Sequence, residues 1–265
     1  MLPLGNKPIM QYVVEECVEA GIDEIIIVAT PEGKPIYEDY FNNSVNKIKK
    51  QLTVMGKADR YEPVQRVLDF PKIIVITQDE TLPYGNGSPV VSAQKFLEGE
   101  EAFLVLYSDD VVFGNPGDSK IMVDLYEQNP DVDGVIMAQE VEANVVNKYG
   151  IIAFKEGSET DLDNIVEKPD KGTEPSRLAS YGRYLLTSEV FEHLVSSNTG
   201  KDNELWTVDA ITKMARKGRI LVGKSEGTWL TTGDPENYFR AHMRFVIEHE
   251  SYGDKLESWL QEFKK

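Results

Sequence analysis

The feature that most constrains this chain is the alternation of short β-branched runs with helix-patterned stretches through its first half. Asp23-Glu-Ile-Ile-Ile-Val-Ala29 carries aliphatic residues in succession with no polar alternation, the pattern of a strand buried on both faces. Ile73–Thr77 and Ala102–Tyr107 repeat it. Ahead of the first run, Ile9, Tyr12, Val13, Cys17 and Ala20 recur at helical spacing, with Pro8 in the first turn and Gly21 after the last. Further helices are expected around Ile36–Met55 and Val90–Leu97. Strands alternating with helices require right-handed crossovers, so this half predicts an α/β fold with a mostly parallel sheet.

Beyond about residue 130 the pattern changes. Asp133–Glu140, Gly150–Phe154, Asp163–Glu167 and Leu178–Leu186 read as shorter strands of mixed orientation. Helices are expected at Ser188–Val195 and Asn203–Lys217, with a strand at Arg219–Gly223 after them. Asp234-Pro235 reads as an N-cap followed by proline at the first helical position, opening a helix to about His249. A last amphipathic helix is expected over Leu256–Phe263. No internal repeat or linker interrupts the chain, so residues 1–265 read as one α/β domain with an elaborated second half.

Charge removes whole classes of partner. The formal net charge is −17, a field that repels nucleic-acid backbones and anionic membranes but not a small phosphorylated substrate met by local cations and amides. The longest aliphatic run, Ile25–Ala29, is far too short to span a membrane. The first residues show neither a basic nor an apolar leader region. Cys17 has no cysteine to pair with and reads as a small buried hydrophobe, which suits a reducing compartment. A cytoplasmic protein is expected. His193, His242 and His249 are too scattered for a zinc site.

In a parallel α/β sheet, ligands bind beyond the carboxyl ends of the strands. The loop after Ile73–Thr77 runs from Gln78 to Gly85-Asn-Gly87-Ser-Pro, and glycines two apart before a helix let backbone amides approach a flat or anionic ligand. A plain turn has the same composition. The loop after Ala102–Tyr107 begins Ser108-Asp109-Asp110, where carboxylates suit Mg²⁺ completed by substrate phosphates, or simply close a turn. Glu167-Lys168-Pro169 ends a strand with a hydroxyl acceptor beside a phosphate-binding ammonium; a solvated ion pair is the plainer reading. Glu204 and Asp209 flank a helix start, where the helix dipole alone accounts for an acid.

Taken in order, these segments resemble the bacterial UTP–glucose-1-phosphate uridylyltransferases of the sugar-nucleotidyltransferase superfamily, over essentially the whole chain. Met1-Leu-Pro-Leu…Lys7-Pro8-Ile…Gln11-Tyr12 is similar to the stretch that follows the family's N-terminal signature. Gln78 with Gly85-Asn-Gly87 resembles its uracil loop, and Asp109-Asp110 its metal loop. Tyr149-Gly150, Glu167-Lys168-Pro169, Gly182-Arg183-Tyr184 and Glu204-Leu…Asp209 resemble its sugar-side motifs.

The resemblance implies a Rossmann-like, mostly parallel sheet of the nucleotidyltransferase type, with residues 1–130 as the nucleotide-binding half and 131–265 as the sugar-binding half with C-terminal helices. It implies transfer of a uridylyl group from UTP to glucose 1-phosphate, giving UDP-glucose and pyrophosphate by in-line attack. Mg²⁺ would sit on Asp109, and Lys168 would hold the sugar phosphate. Tyr149, Gly150, Glu167, Gly182 and Glu204 would surround the sugar, and Gln78, Gly85 and Gly87 the uracil. Packing of C-terminal helices between copies, as a homo-oligomer, is also implied.

Three departures qualify the match. Ser88-Pro89 stands where the family has His-Ala, and Thr231 where related enzymes have a second metal-binding Asp. The family's first strand and its Gly-x-Gly-Thr-Arg loop are not in the sequence, so the chain as given is expected to be poorly active and less stable than a longer form. The competing expectations are a dTTP- or CTP-dependent sugar-1-phosphate nucleotidyltransferase and a catalytically inactive sugar-nucleotide-binding homologue.

Overall fold

The computed structural model describes residues 1–5, 7–61, 70–196, 199–200, 203–247 and 253–263. A two-residue hairpin, Pro3–Leu4 with Lys7–Pro8, leads into helix α1, Ile9–Glu19. Strands β1, Glu24–Ala29, and β2, Lys72–Thr77, pair in parallel along their full length. Helix α2 is Gly87–Ala93. Strand β3, Ala102–Leu106, follows, then β4, Asp110–Phe113, and helix α3, Asp118–Gln128. Next come β5, Gly134–Glu140, β6, Gly150–Phe154, β7, Leu162–Glu167, and the ten-residue β8, Leu178–Thr187. Helix α4, Thr207–Lys217, β9, Ile220–Lys224, β10, Thr228–Thr231, and helices α5, Pro235–Ile247, and α6, Gly253–Phe263, complete the described order.

Six strands form the main sheet in the order β9-β5-β8-β6-β7, with β3 also on β8. Strand β5 follows one edge of β8. The other edge is shared: β3 covers Arg183–Thr187 and β6 covers Ala179–Ser180. The α/β class holds, but among the described residues hydrogen-bonded parallel pairs are confined to β1–β2 and β5–β9. Strands β3 and β5 both run antiparallel to β8 and hence parallel to each other. The single reversed strand between them turns what would be parallel neighbours into antiparallel pairs.

Alternation along β5 feeds two cores. Ile136 and Ala138 face α4 through Ile211, Met214 and Ala215, whereas Val135 and Met137 face α3 through Met122. Among the described residues, no helix is long and apolar enough to cross a membrane.

Some boundaries differ from the periodicity reading. The stretch expected as one helix over 36–55 is Lys34–Glu38, a π turn at Asp39–Ser44, and Val45–Val54. The wider turn accompanies insertion of Phe41, 4% exposed, into the core beneath β1 and β2. The helix expected from Asn203 begins at Thr207, because Asn203 takes a left-handed φ of 60° and residues 204–206 run alongside another loop. The helix expected at Val90 begins at Gly87, and that at 188–195 shrinks to Val190–His193. Helix α3 and the β4–β10 pair have no counterpart in the sequence reading. The Asp234 cap is present, with its Oδ1 accepting the Asn237 N–H at 2.9 Å. His249 lies outside the described residues.

Candidate active site

The two strands on the shared edge of β8 diverge at Tyr181–Gly182, between the stretch paired with β3 and the stretch paired with β6. Such a divergence opens a crevice at strand ends, where α/β folds bind ligands. The C-terminal end of β3 delivers Tyr107–Asp110 there, the start of β6 delivers Tyr149–Gly150, and the end of β7 delivers Glu167–Lys168.

The paired acids have separate fates. Asp110 is 7% exposed, with its Oδ1 accepting the Trp229 indole N–H at 2.7 Å and its Oδ2 facing the Gly182 N–H at 3.4 Å. Burial, then the neighbouring Asp109 charge, push its carboxyl above the usual range. Asp109 is exposed, and its backbone is held where its side chain is not. Thr232 donates to the Asp109 carbonyl through both its N–H, at 2.7 Å, and its hydroxyl, at 2.8 Å. A Cβ on Gly233 would lie 2.8 Å from Asp109 Oδ2, so glycine there keeps the carboxylate's space open. Trp229 stacks on Tyr181 at 4.8 Å between centroids and meets the Tyr149 ring edge-on at 5.2 Å.

On the sugar-motif side, Gly150 lies directly between Ser180 of β8 and Glu167 of β7. A Cβ there would stand 3.0 Å from Glu167 Oε2, so the glycine leaves the carboxylate its place. Lys168 takes a φ of 49°, donates its N–H to the Tyr149 carbonyl at 3.0 Å, and keeps its ammonium 3.7 Å from Glu167 Oε1. Its side chain is 56% exposed, which leaves the cation able to meet an arriving anion. Gln78 directly follows β2, with its N–H on the Ala29 carbonyl.

Two glycines serve the protein more than a ligand. The Gly87 N–H donates to the Leu205 carbonyl at 2.8 Å, which corrects the expectation that this amide is offered to a nucleotide. Gly85, at φ 132°, would place a Cβ 2.7 Å from Leu205 N, so it too is dictated by close backbone passage. Gly182 is likewise a packing residue: a Cβ would enter the Tyr107 ring, and its carbonyl accepts the Tyr107 N–H. The expected sugar contact of Gly182 therefore has no free backbone behind it. Ser88 is buried and donates its hydroxyl to the Pro83 carbonyl, closing the loop on itself.

Sequence reasoning named Arg183 only within a sugar-side motif and missed its buried role beneath the site. Arg183 is fully buried and uses all five of its N–H donors: Nε and one Nη2 proton on Glu16, the other Nη2 proton on the Asp110 carbonyl, and both Nη1 protons on the Tyr107 and Gly182 carbonyls. Glu16 also accepts the Ser119 N–H and hydroxyl. Nothing in local spacing pairs residues 167 positions apart; a charged residue inside the apolar β8 pattern was the available signal.

A sequence model described as nucleotidyl transferase matches residues 1–247. A Staphylococcus epidermidis protein named UTP–glucose-1-phosphate uridylyltransferase is 35% identical over 264 residues, covering 99% of this chain and 89% of that protein. A Bacillus subtilis protein of the same name is 35% identical over 263 residues, covering 98% and 88%. Among solved structures, a UTP-bound enzyme described as UGPase from Acinetobacter baumannii superposes with a TM-score of 0.85 at 28% identity, covering 99% of this chain and 90% of that one. A UDP-glucose pyrophosphorylase complexed with UDP-glucose superposes at 0.77 with 29% identity, covering 94% and 90%.

Proposed function

The chain belongs to the nucleotidyl transferase family, and from that premise we propose that it is a UTP–glucose-1-phosphate uridylyltransferase, joining UTP and glucose 1-phosphate to give UDP-glucose and pyrophosphate. The observation that carries the site assignment is the convergence of an exposed Asp109, the Glu167–Lys168 pair and the Tyr149–Gly150 turn where β3 and β6 part from β8.

A sugar-phosphate oxygen attacks the α-phosphorus and pyrophosphate departs, so no covalent intermediate on the protein is required. Catalysis then consists of positioning and neutralising charge. Lys168 holds the sugar phosphate, and Glu167 accepts hydrogen bonds from sugar hydroxyls, with Glu204 as the second acceptor. Gln78 supplies amide donor and acceptor to the uracil edge, with Gly85 and Gly87 shaping the loop beside it. Tyr149 and Gly150 border the sugar, and Gly182 supports them from β8. In this reading residues 1–130 carry the nucleotide contacts and 131–265 the sugar contacts.

The donor set fits a hard divalent cation that arrives with phosphate. Asp109 offers one exposed carboxylate, and no group of three or more His, Cys, Asp or Glu among the described residues forms a protein-only cage. We assign Mg²⁺ to Asp109, where it would offset charge on the phosphate oxygens. The reading includes self-association through α5 and α6, which expose Phe239, Met243 and Trp259. The test is pyrophosphate release from UTP, glucose 1-phosphate and Mg²⁺, run beside calorimetric titration with UDP-glucose. Turnover or saturable UDP-glucose binding is expected; neither, in a folded chain, overturns the reading.

A further inference from the structure

The loop assigned to the nucleotide is fastened to the segment that carries Glu204. Leu205 donates its N–H to the Tyr84 carbonyl at 2.7 Å, and its carbonyl accepts the Gly87 N–H at 2.8 Å. The third link is a side chain: Asn86 Oδ1 accepts the Thr207 N–H at 2.8 Å. Thr207 is the first residue of α4, whose own N-cap position, Trp206, provides no side-chain cap. The orphan amide of a helix start needs an acceptor, and here a residue 121 positions earlier supplies it. Gly85 and Gly87 make the approach possible, since a Cβ on either would come within 3.0 Å of Leu205 backbone.

We propose that Asn86 is a positioning residue for the sugar subsite: it sits in the nucleotide loop, yet through the α4 cap it fixes the backbone from which Glu204 reaches the sugar hydroxyls. The proposal rests on the functional reading above. Of the three links, two join backbone to backbone and survive any side-chain change, so Asn86 is the one that substitution can cut. It is half-buried, and its loss leaves the apolar cores untouched.

The experiment compares wild type, Asn86→Ala and Asn86→Asp by steady-state kinetics with each substrate varied, and by calorimetry with UDP-glucose. Asn86→Ala should raise KM for glucose 1-phosphate about fivefold, the equilibrium equivalent of a lost cap, and leave KM for UTP within about twofold. Asn86→Asp keeps an acceptor at the helix start and should restore the sugar KM. A rise confined to the UTP KM makes Asn86 a nucleotide ligand and overturns the proposal. Equal changes in both constants, no change in either, or no rescue by Asp also overturn it. A wild-type chain that neither turns over nor binds UDP-glucose fails the functional reading itself, and this inference falls with it.

Discussion

Removing the Glu16 carboxylate should unseat the loop that carries Asp109, and the size of the effect follows from its contacts. Glu16 accepts the Arg183 Nε–H at 3.1 Å and an Nη2–H at 3.0 Å, together with the Ser119 N–H at 3.1 Å and hydroxyl at 2.7 Å. Arg183 is fully buried and Glu16 is 7% exposed, so Glu16→Ala leaves an uncompensated cation and two stranded donors with little access to water. Burial opposes the guanidinium charge most strongly, and the Glu16 charge and hydrogen bonds, together with the Asp110 and Tyr181 charges, hold it above its ordinary value all the same. Breaking a buried pair from one side costs about 3–5 kcal/mol. At about 2–4 °C per kcal/mol for a chain of this size, the unfolding midpoint should drop by roughly 6–20 °C. Glu16→Gln, which keeps one acceptor oxygen and the packing volume, should lose less. The assay is urea unfolding of wild type, Glu16→Ala, Arg183→Met and the double variant. The double variant should be more stable than the sum of the single losses predicts, because no lone charge remains buried. A cost below about 1 kcal/mol for Glu16→Ala, or strict additivity, would refute the argument that this pair braces the loop.

Three further outcomes are expected. Asp109→Asn should abolish Mg²⁺-dependent pyrophosphate release while Asp110→Asn, which can still accept the Trp229 N–H, retains it; the reverse pattern would move the metal to Asp110. Lys168→Ala should cost about 1.5–3 kcal/mol in handling glucose 1-phosphate, with a smaller effect on UTP, because one charge-assisted bond to phosphate is lost; unchanged constants would make the Glu167–Lys168 pair solvated surface. Burial raises the Asp118 carboxyl above its ordinary 3.8, against the hydrogen bonds from Tyr181 and Ser225 that lower it. A raised folded value contributes stability that is full below 3.8 and lost as pH climbs through the raised value. Urea midpoints followed from below pH 3.8 to neutrality should therefore fall more steeply in wild type than in Asp118→Asn, and parallel curves would contradict this.

The elements legible in the sequence are those whose neighbours impose one pattern. Strands β1, β2 and β3 carry nearly continuous aliphatic runs that need no knowledge of partners, although most of their residues are only half-buried rather than enclosed on both faces as the runs suggest. The cap at Asp234 is likewise local, a carboxylate three residues from the amide it accepts. Helix α3 escaped because its apolar residues crowd into one short run, Ile121–Tyr126, between polar ends, although Ile121, Met122, Val123, Leu125 and Tyr126 all pack on the core. Strands β4 and β10 are four residues each and, among the described residues, pair only with one another, which leaves too short a pattern to count. At the site, glycines were read as openings for a ligand. At 85, 87 and 182 they are openings for Leu205 and Tyr107, and only the fold brings those residues there.

The division of labour between Asp109 and Asp110 follows from strand geometry. Neighbouring residues entering a strand point to opposite sides, so two consecutive acids at a strand start cannot both face one crevice. Asp110 opens β4, paired with Thr231 of β10, and turns inward to Trp229 and Gly182. Its charge would be costly there without those donors. Asp109, one position earlier, keeps its side chain outside while Thr232 holds the Asp109 carbonyl and Arg183 holds those of Tyr107 and Asp110. The inward acid therefore fixes the backbone from which the outward acid works. Changing the first should register mainly in stability and changing the second mainly in turnover, which is the contrast the two asparagine variants read directly.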